Sequence, residues 1–294
     1  MKNRLDFIII GAQKSGTTTL FKYLEGHPQI YMPPEKEAPF FSDESRYQKG
    51  WDWYLQEFFT EGQPNRLWGK ASPQYMAYPC VPERIHEMMP DIKLIAILRD
   101  PVERAYSHFK MNLRRGIEKR PFQEAICDQL ENIEKLRECS DLSEIDSYIL
   151  YSEYGRILKN YLKMFNKDQI LVLFMEELSL FPVECVSRVY NFLDIENILP
   201  NNLGQRYHQG GSKQRWPKIK NIKNYFPVKQ LWKCFPQRYR RRFKYWFEQY
   251  NVIKEETSEI PLEKKVFQDL VLHFNSDAVF LKENNWNTSN WVNF

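Results

Sequence analysis

A loop with two glycines, lying between an apolar run and a helical pattern, constrains the fold of this chain most. Residues 5–10 form a short, β-branched, apolar run, which is typical of a buried strand. Gly11-Ala12-Gln13-Lys14-Ser15-Gly16-Thr17-Thr18-Thr19 follows at once, and Thr17–Leu24 has the pattern of a helix. Such a turn presents backbone N–H groups and the positive end of a helix dipole to an anion. The sequence therefore predicts a phosphate-binding loop after the first strand.

Further apolar runs alternate with helical patterns along the chain. Lys93–Leu98 and Ile170–Phe174 are predicted strands, and residues 102–113 are a predicted helix with Pro101 near its first turn. Helical spacing is also found in 121–137, 147–165, 176–193 and 266–286. Strands separated by helices predict an α/β fold with three layers, in which helices flank a central parallel sheet with a P-loop-like core. Ligands are then expected at the carboxyl ends of the strands.

Composition limits the class of protein. The 294 residues are 43% hydrophobic and 27% charged, which is typical of a globular protein. We expect one domain over 1–294 with a basic, aromatic, helical insertion at 218–263. No apolar run reaches the roughly 20 residues of a membrane span, and the first one is too short for a secretory signal. The five cysteines are scattered and the histidines form no ligand pair, so we expect a cytoplasmic protein without a metal.

The charge is distributed unevenly. Twelve Lys and Arg and no Asp or Glu lie between Lys213 and Lys244, which leaves 30 basic against 38 acidic residues elsewhere. Aromatic residues are interleaved with these cations. The stretch is either a solvated helical surface whose rings pack inward, or a surface for polyanions or an anionic membrane face. Our hypothesis is that residues 218–244 contact an anionic acceptor or a lipid surface.

The loop differs from the nucleotide-binding P-loop, GxxxxGK[ST]. Gly11 and Gly16 have the outer spacing, but Thr17 stands where an ATP- or GTP-binding loop has lysine. Lys14 lies inside the loop instead. An ATP-dependent kinase on the same core is therefore one alternative, and a strand-to-helix turn with incidental polar residues is another.

Three segments together resemble the PAPS-dependent sulfotransferases, PAPS being 3′-phosphoadenosine 5′-phosphosulfate. Lys14-Ser15-Gly16-Thr17-Thr18 resembles their 5′-phosphosulfate loop. Leu98-Arg99-Asp100-Pro101-Val102-Glu103-Arg104-Ala105-Tyr106-Ser107 resembles their 3′-phosphate segment. Ser212-Lys213-Gln214-Arg215 resembles the late loop that closes over the nucleotide, with Gln214 where the family has glycine.

Two further blocks are most similar to the carbohydrate sulfotransferases, represented by the heparan sulfate enzymes and their bacterial relatives. These blocks are Glu35-Lys36-Glu37-Ala38-Pro39-Phe40-Phe41 and Gly69-Lys70-Ala71-Ser72-Pro73-Gln74-Tyr75. The resemblance implies transfer of a sulfuryl group from PAPS to a hydroxyl or amine of a carbohydrate, which releases adenosine 3′,5′-bisphosphate without a metal. A small natural product is the alternative acceptor.

The resemblance also assigns roles to residues. Lys14 is expected to stabilise the leaving phosphate, and the N–H groups of Ser15, Gly16, Thr17 and Thr18 to hold the 5′-phosphate. Glu37 is the proposed general base, with Glu35 as its rival and with Phe40 and Phe41 as apolar walls. The other implied site residues are Lys70, which would orient the sulfonate or the acceptor, Arg99 and Ser107 at the 3′-phosphate, and Ser212, Lys213 and Arg215 around the nucleotide.

Some residues keep two interpretations. Arg104 is most simply a charge on a helix surface, and His27, His108 and His208 are expected to be structural. Tyr207 and Trp216 either flank the adenine or belong to the core. A further alternative for the whole chain is a polyanion-binding module that uses 213–244, although we expect a small-molecule or glycan partner and no nucleic acid. The oligomeric state is not predicted.

Overall fold

A computed structural model describes residues 3–139, 143–205, 207 and 263–294, together with the backbone of 212–214 and 252–254. The chain divides into two compact units. One comprises Met1–Tyr207 and Pro261–Phe294, and the other comprises His208–Ile260. The predicted single domain with an insertion at 218–263 stays a prediction, because most of that insertion lies outside the described residues.

The larger unit contains a five-stranded sheet. Its strands are β1 (Phe7–Gly11), β2 (Ile30–Tyr31), β3 (Leu67–Ala71), β4 (Lys93–Leu98) and β5 (Ile170–Phe174). They lie in the order β2-β3-β1-β4-β5, and every pair of neighbours is parallel. The predicted central parallel sheet is confirmed, with β1 in the middle.

Helices cover both faces of this sheet. They are α1 (Thr17–Leu24), α2 (Glu44–Tyr47), α3 (Trp51–Phe58), α4 (Val81–Met88), α5 (Pro101–Arg115), α6 (Phe122–Glu131), α7 (Ile133–Glu138), α8 (Tyr154–Leu162), α9 (Met175–Leu180), α10 (Pro182–Leu193) and α11 (Lys264–Glu283). Buried residues of α1 and α10 form one apolar core with the sheet, and those of α4, α8 and α11 form another on the opposite face. The three layers are therefore confirmed.

Several boundaries differ from the sequence prediction. The helix predicted over 176–193 is two helices, α9 and α10, because Pro182 begins a new helix. The helix predicted over 121–137 is also two, α6 and α7, and a 3-10 turn at Leu150–Ser152 precedes α8. Strands β2 and β3 were not predicted from the pattern.

The smaller unit is described only by its backbone hairpin. Strand β6 (Ser212–Gln214) pairs antiparallel with β7 (Val252–Lys254). The predicted helical insertion is thus extended, not helical, at Val252–Lys254. Across the described ranges of the chain, no helix is both long and apolar enough to cross a membrane.

Candidate active site

The loop between β1 and α1 has the geometry of an anion site. Gly16 adopts a left-handed conformation (φ 92°) as the N-cap of α1, a backbone shape that other residues rarely adopt. Lys14 is also left-handed, with φ 72°. The first hydrogen bond of the helix joins Leu20 N to Gly16 O at 3.1 Å. The N–H groups of the first turn therefore have no partner inside the helix and are directed toward a ligand position.

Two buried hydroxyls lie at the base of this loop. Ser15 is fully buried. The hydroxyl of Tyr154, at the start of α8, lies against Ser15 and the backbone of Arg99. The two hydroxyls thus place polar groups in a buried position beside the loop.

Positive charge is concentrated around Lys14. Its ammonium group has a pKa lowered to about 8, chiefly by burial and to a smaller extent by the nearby charges of Arg114, Arg115, Arg99 and Arg104. These positive charges repel one another, which raises the free energy of the unliganded site. A ligand with several negative charges removes that cost, so the cluster fits a nucleotide with more than one phosphate.

The segment after β4 turns into α5 at Asp100. The Asp100 carboxylate caps the helix and accepts from Val102 N at 3.0 Å and Glu103 N at 3.2 Å. Arg99 is next to this cap, and its guanidinium pairs with Glu103 at 2.9 Å. Ser107 lies on the second turn of α5 and is partly buried. The predicted helix that places Ser107 beyond the strand end is confirmed.

Lys36 connects the phosphate loop to the proposed base. Its Nζ is 3.3 Å from Thr17 Oγ1 and 2.9 Å from Glu37 Oε1. Glu37 therefore lies beside the loop, as the resemblance implied. The expected apolar walls are wrong, however. The Glu37 side chain is 46% exposed, while Phe40 and Phe41 turn away and pack in the core.

Lys70 is fully buried on β3. Its Nζ donates to the carbonyl oxygen of Glu35 at 2.5 Å and lies 4.9 Å from the centroid of the Phe58 ring. Burial lowers the pKa of Lys70 to about 7, although the charges of Glu35 and Glu37 oppose that shift. Lys70 is therefore a buried residue and not a solvated surface lysine. The structure brings Lys70 and the two glutamates together.

A close contact between β1 and β3 determines which side of the sheet Lys70 faces. Gly69 is the register partner of Phe7 on β1, and a Cβ at position 69 would lie 2.1 Å from the Phe7 ring. The missing side chain lets the ring cover β3. Because side chains alternate along a strand, Lys70 then faces the opposite side of the sheet.

The interpretation of Arg104 as a surface charge is wrong. Arg104 is fully buried and donates to Ser152 Oγ and to the carbonyl oxygen of Tyr148, both at 2.5 Å. It ties α5 to the turn before α8. His108, one turn later, is fully buried between the rings of Tyr148 and Tyr151.

The residues predicted to close over the nucleotide are only partly described. Tyr207 N donates to Thr19 Oγ1 of α1 at 3.2 Å, so Tyr207 lies next to the helix that follows the phosphate loop. The side chains of Ser212 and Lys213, and all of Arg215 and Trp216, lie outside the described residues.

Sequence reasoning missed Lys36 and Tyr154 as site residues. Lys36 adjoins Glu37 in the sequence, and that adjacency was the available signal. Tyr154 gave no signal, because an aromatic residue at helical spacing is typical of a core position.

Comparison with known proteins identifies the class to which this fold and site belong. Residues 4–245 match the sulfotransferase domain family, which is well over half of the chain. The chain belongs to that family. The predicted recognition and enzyme class are thus confirmed at the level of the family.

The chain is similar to enzymes that act on heparan sulfate. It is 27% identical over 223 residues to the bifunctional heparan sulfate N-deacetylase/N-sulfotransferase of Drosophila melanogaster, covering 68% of this chain and 20% of that protein. It is 30% identical over 191 residues to human heparan sulfate glucosamine 3-O-sulfotransferase 5, covering 64% and 53%. The membrane-associated sulfotransferase kil1 of Dictyostelium discoideum is 40% identical over 111 residues, covering 37% and 23%.

The chain spans between a fifth and about half of the length of these relatives. Among solved structures, it is similar to a sulfotransferase from Alicyclobacillus acidocaldarius. The TM-score is 0.68 at 25% identity, and the match covers 98% of each chain. This likeness confirms the predicted fold class.

Proposed function

We propose that this protein transfers a sulfuryl group from PAPS to a hydroxyl or amine of a carbohydrate and releases adenosine 3′,5′-bisphosphate. The observation that supports it best is the position of Lys36, which lies within 3.3 Å of Thr17 in the phosphate loop and 2.9 Å from Glu37. A donor held by the loop would have its transferable group near this carboxylate. That is the arrangement that in-line transfer needs.

The proposed reaction moves one proton and one sulfuryl group. Glu37 accepts the proton of the acceptor, and the acceptor oxygen or nitrogen forms a bond to sulfur. The bond between sulfur and the bridging phosphate oxygen breaks, and negative charge builds on that oxygen. Lys14 and the N–H groups of Gly16, Thr17 and Thr18 stabilise this charge, whereas Ser15 N already donates to Ala12 O at 3.3 Å. Lys70 orients the groups that react, since its ammonium is fixed by burial and by Glu35.

The donor would be held at two ends. We assign the 5′-phosphosulfate to the loop around Lys14, where four arginines add positive potential. We assign the 3′-phosphate to Arg99 and Ser107, at the strand end and the following helix. The buried hydroxyls of Ser15 and Tyr154 support a polar ligand at the loop. Ser212, Lys213 and Arg215 remain proposed nucleotide contacts.

A carbohydrate acceptor is supported by the similarity to heparan sulfate N- and 3-O-sulfotransferases. A small natural product remains the alternative acceptor. We also propose a cytoplasmic protein that touches an anionic surface through residues 218–244. The basis is the run of cations and rings in that segment.

Calorimetric titration tests the donor. Adenosine 3′,5′-bisphosphate should bind without a metal, and Lys14→Ala should weaken binding by at least about tenfold, because it removes a charge-assisted contact. ATP with Mg²⁺ should bind far more weakly. A preference for Mg-ATP, or no bisphosphate binding, would contradict the proposal and favour the kinase alternative.

A transfer assay tests the acceptor. Labelled PAPS is offered with desulfated heparan oligosaccharides or with a panel of small alcohols and amines. Transfer to the oligosaccharides alone supports the carbohydrate, and transfer to the small acceptors alone supports the alternative.

A further inference from the structure

The segment that follows α11, residues 286–294, is fixed against the carboxyl ends of the strands. We call it the anchoring segment. Trp291 is 3% exposed, and its ring centroid lies 5.4 Å from that of Phe174 at the end of β5. The backbone N–H of Trp291 donates to the carbonyl oxygen of the buried Thr288 at 2.9 Å. The segment is therefore part of the core beneath the site.

The anchoring segment makes a direct hydrogen bond to the cap of α5. Asn293 Nδ2 donates to Asp100 Oδ2 at 2.8 Å. The other carboxylate oxygen, Oδ1, accepts from the first turn of α5, and the Asp100 N–H donates to Glu176 Oε1 at 3.1 Å. Both oxygens of a largely buried carboxylate thus have donors, and Asn293 provides the one that comes from a distant part of the chain.

The same segment reaches the phosphate loop through Tyr154. The Trp291 and Tyr154 rings lie 6.0 Å apart, and the Tyr154 hydroxyl lies against Ser15 and the Arg99 backbone. The anchoring segment thus contacts two neighbours of Arg99. One is Asp100, and the other is Tyr154.

Arg99 needs such support. Its guanidinium is ion-paired with Glu103, whose side chain is 49% exposed. A phosphate and this carboxylate are alternative partners for the same guanidinium, so the position of the Arg99 backbone decides which of them it reaches.

We propose that Asn293 is a positioning residue for the sulfuryl donor: it holds Asp100, and thereby directs Arg99 to the 3′-phosphate. This inference rests on the proposed function. Without the Asn293 amide, Asp100 Oδ2 loses its hydrogen-bond donor. Asp100, at the junction between β4 and α5, then shifts toward another hydrogen-bond donor.

The experiment compares two nucleotides that differ only in the 3′-phosphate. Dissociation constants are measured for adenosine 3′,5′-bisphosphate and for adenosine 5′-phosphate. We expect Asn293→Ala to weaken binding of the bisphosphate about three- to tenfold, the effect of one ordinary hydrogen bond, because Asn293 acts on Arg99 only through Asp100. Binding of the 5′-phosphate should not change. The matched control is Val292→Ala, because Val292 is 95% exposed in the same segment. Neither constant should change in that variant.

A double-mutant cycle shows whether Asn293 acts through Arg99. In an Arg99→Ala background, Asn293→Ala should cause no further loss, since the group that it positions is gone. Asn293→Leu has a similar volume and no donor, and provides the same comparison if the alanine variant does not fold.

The outcomes separate two failures. If the wild type binds the bisphosphate no better than the 5′-phosphate, the proposed donor is wrong, and with it this role of Asn293. If the wild type prefers the bisphosphate and Asn293→Ala keeps that preference, only the positioning role is wrong. Equal losses for both nucleotides, or additive losses with Arg99→Ala, also overturn it.

Discussion

Lys14, Lys36 and Lys70 are the same residue type in three environments. Lys14 has a left-handed backbone and lies among arginines. Lys36 forms an ion pair with Glu37 and a hydrogen bond with Thr17. Lys70 is fully buried over an aromatic ring. Burial and neighbouring charge lower the pKa of Lys14 to about 8 and that of Lys70 to about 7. Their protonation therefore changes within the range in which enzymes are assayed.

The identity of the base is decided by a pair of matched variants. Glu37→Gln should lower kcat by about 10²- to 10⁴-fold, because the acceptor keeps its proton. Bisphosphate binding should not change, which calorimetry checks. Glu35→Gln is the matched variant, since Glu35 is the rival base and lies on the same short segment as Glu37. A larger loss in Glu35→Gln would make Glu35 the base.

The pH profile of kcat/KM for PAPS should fall as pH rises past about 8. The folded-state pKa of Lys14 is lowered, so its cation is present below that pH and lost above it. Lys14→Arg keeps the charge and should move this limb to higher pH. An unchanged limb in Lys14→Arg would show that another group is responsible. A separate limb near pH 7 that disappears in Lys70→Met would belong to Lys70.

Single residues show where sequence reasoning stops. The family resemblance identified Lys14, Glu37 and Lys70, because each of them lies in a recognisable sequence block. It assigned Arg104 to the surface, since an arginine at the start of a helix is usually solvated. The partners that bury Arg104, Ser152 and Tyr148, lie more than 40 residues away. No local pattern reports such a contact.

The strands show the same limit for whole elements. The bounds of β4 were predicted because its run of six residues is apolar after the first. Strand β3 reads Leu-Trp-Gly-Lys-Ala, in which a glycine and a lysine interrupt the apolar pattern. The glycine makes room for the Phe7 ring, and the lysine lies against Glu35 in the candidate site. Such interruptions hide a strand from pattern analysis.

Three helices meet at one buried carboxylate. Glu153, just before α8, is 1% exposed and pairs with Arg137 of α7, Arg156 of α8 and His273 of α11. Burial by itself raises the pKa of Glu153, but hydrogen bonds from His273 and Arg137 and the charge of Arg156 outweigh it, and the result is about 2. This cluster fixes the helices that carry Tyr154 and precede the anchoring segment.

Glu153→Gln should destabilise the fold by about 3–5 kcal/mol, because it leaves several cations without their buried partner. A lowered carboxylate pKa contributes stability above the unfolded value of about 4.5, and that stability is lost as pH falls toward about 2. Denaturant unfolding of wild type should weaken across this window, and that of the variant should weaken less. Glu134→Gln is the control, since Glu134 also pairs with Arg137 but is 79% exposed. Equal losses in the two variants would contradict the role of burial.

Basic and acidic residues are unevenly distributed along the chain. Its formal charge of +4 combines twelve cations without an acid in 213–244 with an excess of acidic residues elsewhere. The net charge therefore says little about binding, whereas its distribution favours an anionic partner for one segment.

Reversal of charge in this segment tests that partner. Arg240→Glu, Arg241→Glu and Arg242→Glu together should reduce co-sedimentation with vesicles that contain phosphatidylserine by at least about 100-fold, given about 1 kcal/mol per cation. Bisphosphate affinity should be unchanged. A matched control reverses Lys264, Lys265 and Lys282, which are exposed on α11. No difference between the two triple variants, or no vesicle binding by wild type, would disprove the membrane contact.

The strand order has a consequence for how this chain could be diversified. The proposed donor groups follow β1 and β4, whereas Glu37 and Lys70 belong to the β2–β3 edge of the sheet. Recombination that exchanges that edge alone would present new acceptor-side residues to an unaltered donor half. A family that diversifies in this way can change its acceptor while it keeps the same sulfuryl donor.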